Sequence, residues 1–426
     1  YLTRTLSTRS GWAFALWISS PIVILGCQAS LMIDLPFVAL SSVAVALWVK
    51  SCRQESAAVS FVVTGAVLGL ACLTKYPALV LLPVFAIHAK NRGNWAGFGR
   101  AAAAFIVVFG GVELWLMLQY GELHLWRVIE SVGVIDRGPM AGRGFGLLVR
   151  LGVMFTPALL IMNRGLRAPI LGAIAGIAGL SVVGIGDFGV IGITIILALC
   201  AVSGLVVSLI TSGVRETEAK DNEGLLLSCW ATAVLLSVLL GHNYAGGRYL
   251  FPAALPLAIL LSNSAIFGVT KSRLKGVAVG AWGAVGVLLA VGVDREARAV
   301  VSLSGSMNEH TASGSLLFSG EWTFRHAMVQ NGWSWLGPNG QLQVGDTVAI
   351  PSNSGAGLVP ESELVLIDRI VSEERYPFRL TDYQGDLGYH SELLGRLPFG
   401  FSTAEWHAVD LYRVEALSGE ERGNDQ

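Results

Sequence analysis

The sequence predicts an α-helical polytopic membrane protein with a small C-terminal α/β soluble domain. Of 426 residues, 53% are hydrophobic and 14% charged, with a mean hydropathy of +0.61. That balance is too apolar for an ordinary soluble domain. The charge is also divided. Up to Val293 there are 20 basic and 11 acidic residues, and from Asp294 onward 19 acidic and 9 basic. A membrane part over 1–293 is therefore expected, then an extracytoplasmic α/β domain over 294–417 and a disordered polar tail over 418–426. Cys27, Cys52, Cys72, Cys200 and Cys229 all lie in or beside apolar runs. No disulfide framework, zinc motif or nucleotide-binding glycine motif is indicated, and nothing calls for a nucleic-acid partner.

Apolar runs at about 12–30, 35–49, 57–74, 76–89, 101–118, 147–162, 168–186, 188–211, 224–241, 249–267 and 275–293 predict about eleven spans. The division at 57–89 follows from length. As one helix these 33 residues would run roughly 50 Å against a hydrocarbon core of about 30 Å. Pro77 removes a backbone donor and disfavours helix at the residue before it, so the chain is expected to turn at Lys75–Tyr76–Pro77. With that turn and a cytoplasmic N-terminus, fourteen basic residues fall on the cytoplasmic side and six on the other, as the positive-inside rule requires. The acidic tail then lies outside. Its strand-like runs are Thr347–Ile350, Leu364–Val371 and His407–Val414, with a short helix at Glu321–Gln330.

On this topology several features share the external face. Lys75 stands in the middle of an apolar run, where a charge is expensive and marks either a functional site or a snorkelling helix end. Asp34 precedes Pro36 at the start of the second span. Its spacing favours helix capping, and the other reading is a carboxylate that orients an acceptor, a metal or a basic partner. Arg248 opens a late span in His242-Asn-Tyr-Ala-Gly-Gly-Arg248-Tyr-Leu-Phe-Pro252, and two fixed cations at helix ends suit a phosphate. Gln119–Gly146 forms a long external loop. Its Leu123, Trp126, Ile129 and Val132 have the spacing of a helix lying on the membrane surface, and its glycine-rich end over 138–146 suits a lid. Tyr76, His242, Tyr244, Glu122 and Arg143 are secondary candidates on this face.

Asp34-Leu-Pro36, Gly69-Leu-Ala-Cys-Leu-Thr-Lys75-Tyr-Pro and Arg248-Tyr-Leu-Phe-Pro252, in this order, resemble the GT-C membrane glycosyltransferases. The nearest branch holds the protein O-mannosyltransferases and the lipid A aminoarabinose transferase. Gly388–Gly395 and Leu397–Phe399 look like the external tail of bacterial members, a weaker cue. The resemblance implies a bacterial inner-membrane enzyme with its C-terminal domain in the periplasm or outside. It implies a polyprenyl-phosphate-linked sugar as donor, a lipid, glycan or protein hydroxyl as acceptor, and transfer with inversion. Lys75 and Arg248 would contact the donor phosphate, Tyr249 would brace that site, and Asp34 would stand near the acceptor or a bound divalent metal. The family's base is an acidic residue in the first external loop, and the family commonly has about thirteen spans. The absent pair, with that base, is expected upstream of Tyr1; Glu122 is a weaker substitute. Two other classes fit the same cations: a transporter or flippase of an anionic lipid or solute, and a non-catalytic scaffold of the same fold.

Overall fold

Helices built from the apolar runs make up most of the computed structural model, and a small sheet follows near the C-terminus. The structure describes residues 2–7, 9–28, 33–54, 58–134, 144, 146–151, 223–241, 246–264, 267, 272–307, 314–320, 322–337, 340–352, 362–382, 387–388, 399–402 and 407–417. Contacts divide the chain into two units, Tyr1–Leu288 with Gly388–Pro398, and Leu289–Leu387 with Phe399–Gln426.

In the first unit α1 (Leu2–Leu6), α2 (Ser10–Ser19) and α3 (Pro21–Gln28) lead to α4 (Asp34–Arg53). Helix α4 carries Asp34 in its first turn and Lys50 and Arg53 in its last, signs that suit the helix dipole. Helix α5 (Ala58–Thr74) stops at Lys75, whose backbone is extended (φ −160°, ψ 124°). A 3₁₀ turn over Tyr76–Val80 follows, then α6 (Leu81–Arg92). The break thus falls at Lys75 itself, one residue before the position most restricted by Pro77. Pro77 then sits in the first turn of the new segment, where no N–H is needed. Gly93 ends α6 at φ 66°, and Asn94 caps α7 (Trp95–Phe105) by accepting the Gly97 N–H at 3.0 Å. A π-helical turn over Ile106–Gly110 joins α7 to α8 (Gly111–Tyr120), and α9 (His124–Val134) follows. Then come α10 (Glu223–Gly241), a 3₁₀ turn (Gly247–Leu250), α11 (Phe251–Asn263) and α12 (Ser272–Ser306), within which the second unit begins at Leu289.

About eleven spans are expected from the apolar runs, and the structure does not support that number. Among the described residues four segments are long and apolar enough to cross a membrane: α4, Trp95–Tyr120, Glu223–Leu240 and α12. The pair α2–α3, bent by 66°, makes a fifth if it is counted as one span. The reason is local. Run 57–74 yields the 17-residue α5, run 76–89 is divided between a 3₁₀ turn and the 12-residue α6, and run 249–267 between a four-residue 3₁₀ turn and the 13-residue α11. Pro77 and Pro252 each stand near the start of a new turn, so an apolar run is not one helix. Runs 168–186 and 188–211, and most of 147–162, lie outside the described residues.

Helices α5 and α7 approach at their backbones. A Cβ on Gly65 would collide with the Ala101 carbonyl, and one on Gly69 would stand 2.9 Å from the Val108 side chain. Small residues four apart permit such a contact where helices are surrounded by apolar groups. Trp48 anchors the neighbouring layer, stacked on Phe85 with centroids 4.7 Å apart and donating Nε1–H to His88 Nδ1 at 3.1 Å.

In the second unit the strands are β1 (Leu316–Phe318), β2 (Ser334–Trp335), β3 (Thr347–Pro351), β4 (Ser362–Val371), β5 (Phe378–Arg379), β6 (Thr381–Asp382), β7 (Leu387–Gly388), β8 (Gly400–Phe401) and β9 (Ala408–Leu417), with α13 (Trp322–Gln330) after β1. Five form one sheet in the order β2-β1-β3-β9-β4; β1 is parallel to β2 and β3, and β9 antiparallel to β3 and β4. Phe318, Ala349, Val409 and Leu411 of the sheet bury against Phe324 and Met328 of α13 and Val300, Leu303 and Met307.

Candidate functional site

Three breaks in helical structure meet in the first unit. Asp34 opens α4, Lys75 lies between α5 and α6, and Arg248 and Tyr249 lie in the 3₁₀ turn that leads into α11. Together with Phe37, Pro77, Val234, Ser237 and Pro252 they line one cavity. Its free space is small, ≈ 10 Å³ for the centre of a water molecule, or room for about one water. A larger guest would have to displace a lining side chain.

The Lys75 ammonium donates to Asp34 Oδ1. The two side chains are 18% and 9% exposed, so this is a largely buried ion pair. The capping reading of Asp34 is therefore corrected. Ile33 is the N-cap of α4 and no side-chain cap bond is made there; the carboxylate turns instead to Lys75. A charge 41 residues away in sequence outcompetes the helix amides, because an uncompensated buried ammonium is the costlier alternative, at about 3–5 kcal/mol when a buried pair is broken. Tyr249 contacts both cations. Its ring centroid lies 5.2 Å from Lys75 Nζ and 4.9 Å from the Arg248 guanidinium carbon, and its hydroxyl accepts from Arg248 Nη2 at 2.9 Å. Two cations of different shape against one aromatic ring beside a carboxylate can exchange one anionic partner for another.

A second charge cluster marks the other end of the same helices. Arg53, the last residue of α4, donates Nε–H and Nη2–H to the two oxygens of Glu223, the first residue of α10, each at 2.8 Å, and Arg92 Nη2 lies 3.9 Å from Glu223 Oε1. Helix α4 has 20 residues, so about 30 Å separates the two clusters, close to the thickness of a hydrocarbon core.

Other residues singled out in the sequence lie elsewhere. Tyr76 is not among the cavity residues; its hydroxyl donates to Glu113 Oε1 at 2.6 Å and lies 2.5 Å from His124 Nδ1. Glu122 makes a surface pair with Arg127 at 3.4 Å, with side chains 47% and 71% exposed. His242, Tyr244, Arg143 and the stretch 138–143 lie outside the described residues. Glu113 and His124 are not among the candidates that the sequence suggests. The available signal is a carboxylate inside the apolar run 101–118, which is as costly as Lys75.

A divalent metal does not suit the donor set at the cavity. Asp34 already faces an ammonium, and no group of three or more His, Cys, Asp or Glu residues gathers among the described residues. Comparison with protein-family models, with curated proteins and with solved structures finds no match.

Proposed function

We propose that this chain is a GT-C-type membrane glycosyltransferase. It takes a sugar from a polyprenyl-phosphate donor and transfers it with inversion to an acceptor hydroxyl on the extracytoplasmic face. One observation carries the reading: Lys75 and Arg248, from distant parts of the chain, line one cavity with Asp34 at the end of the helical layer. In the reaction the acceptor oxygen bonds to the anomeric carbon as that carbon's bond to the phosphate oxygen breaks, and the acceptor's hydroxyl proton passes to a carboxylate base. The negative charge then growing on the leaving phosphate is stabilised by fixed cations. Lys75 and Arg248 take that role, Tyr249 holds the guanidinium in place, and Asp34 stands on the acceptor side. The positive-inside distribution supports placing this cavity on the external face, opposite Arg53 and Arg92.

The test uses the full chain in nanodiscs with a radiolabelled polyprenyl-phosphate sugar. Release of polyprenyl phosphate and labelling of an acceptor are expected in wild type, with loss in Lys75→Ala and Arg248→Ala while both remain folded. Turnover unchanged in both folded variants would overturn the assignment. Movement of the donor across the bilayer without turnover would replace the enzyme with a carrier.

A further inference from the structure

The turn that carries Lys75 also meets a second polar cluster, in which Glu113 is buried, Tyr76 half-buried and His124 exposed. Glu113 lies in α8, within the apolar segment Trp95–Tyr120, and is 5% exposed. Its Oε1 accepts from the Tyr76 hydroxyl at 2.6 Å, and its Oε2 accepts from the Leu125 N–H at 3.0 Å, in the first turn of α9. The single phenolic hydrogen of Tyr76 is thus directed at Glu113. His124 Nδ1, 2.5 Å from the same phenolic oxygen, must then supply the hydrogen in that contact. The resulting chain runs from imidazole to phenol to carboxylate. The Tyr76 ring is fixed as well, stacked on His124 with centroids 5.7 Å apart and edge-on to Phe109 at 5.9 Å.

A plain helix contact does not need this arrangement. Apolar residues of similar volume hold helices together as well as buried charges do, and a carboxylate inside an apolar segment is costly. What the carboxylate adds is direction. One group fixes both the hydroxyl of Tyr76 and the start of α9, and Tyr76 is bonded directly to Lys75.

We propose that Glu113 and Tyr76 are positioning residues for Lys75, holding its extended backbone so that the ammonium faces the Asp34–Arg248 cavity. This inference rests on the reading of that cavity as a phosphate site. Tyr76 and Glu113 do not themselves touch the phosphate; they act through the turn.

The experiment uses the full chain in nanodiscs, with undecaprenyl phosphate as the binding probe and an amine-acylating reagent to report the exposure of Lys75. Variants are Tyr76→Phe, which keeps the ring contacts, Glu113→Gln, which keeps the volume, and the double variant. Each single variant is expected to weaken binding about tenfold, the scale of one hydrogen bond to a charged group. The double variant should be no weaker than Glu113→Gln, because both act along one path. The Lys75 acylation rate in ligand-free protein should rise in parallel. A merely structural role would lower the melting temperature and leave both readouts unchanged per folded molecule, and that result would overturn the proposal. If Lys75→Ala and Arg248→Ala bind the probe as wild type does, the phosphate reading fails. The Lys75 acylation rate then decides the positioning role alone. Should Glu113→Gln fail to fold, Tyr76→Phe gives the same decision.

Discussion

Replacing Asp34 by asparagine removes a charge while keeping shape, and so tests what the Asp34–Lys75 pair is for. The cavity leaves room for about one water, so an entering phosphate has to take Lys75 from Asp34. A hydrogen bond between charged groups contributes about 1.5–3 kcal/mol net. Relieved of that competitor, the variant should bind undecaprenyl phosphate roughly ten- to a hundredfold more tightly, at about 1.4 kcal/mol per factor of ten. Folding should suffer less than the about 3–5 kcal/mol of a stranded buried charge. Lys75 keeps the Tyr249 ring at 5.2 Å, and the side-chain amide of the variant would still offer it an oxygen. The assay is a titration in nanodiscs, with thermal unfolding of the same samples. Transfer should fall even as binding tightens under the proposed acceptor-side role of Asp34. Equal or weaker binding by a folded Asp34→Asn variant would refute the reasoning, since Lys75 would then not be the counter-charge that the lipid competes for.

Other outcomes follow from the same geometry. Lys75→Ala should weaken undecaprenyl phosphate binding by about tenfold or more, one charge-assisted contact, and a wild-type affinity would argue against it. Gly65→Leu should destabilise the fold by about 1–3 kcal/mol, the cost of an overpacked contact, because its side chain meets the Ala101 backbone; an unchanged unfolding midpoint would show that α5 and α7 can separate freely. The His407 share of the second unit's stability should be lost in acid. Burial pushes the His407 imidazole down to about 4 from its usual 6.5, with the Arg379 charge adding to this and Asp382 opposing it; Glu296 Oε1 lies 3.6 Å from its Nε2. Below pH 6.5 the unfolded chain takes up at His407 a proton that the folded chain refuses. Between pH 6.5 and 4 the His407→Gln variant should therefore gain stability relative to wild type by about 1.4 kcal/mol per pH unit, reaching about 3 kcal/mol near pH 4. Amide exchange in β9 of both proteins across that range measures the difference, and parallel pH profiles would contradict it.

How much of this is legible in the sequence differs from residue to residue. The break at Lys75 is legible because Pro77 acts locally and the run 57–89 is too long for one span. The strands β3, β4 and β9 are legible to within a few residues because their alternation and β-branched content are also local. Spacing alone makes Asp34 a cap, wrongly, because it carries no information about Lys75, 41 residues away, and the buried ammonium is the stronger claimant. Glu113 escapes notice because the run around it is dominated by its apolar residues. Its partners, Tyr76 and the first turn of α9, come from turns on either side of it in the chain. The span count fails for a related reason. Hydropathy measures how long an apolar run is, whereas Pro77 and Pro252 decide whether it is one helix.

The most direct test of the central claim is a cryo-EM structure of the full chain in nanodiscs with undecaprenyl phosphate. Phosphate density within about 3 Å of both Lys75 Nζ and the Arg248 guanidinium is predicted, with Lys75 withdrawn from Asp34. A phosphate seated elsewhere, with the Lys75–Asp34 pair intact, would contradict it.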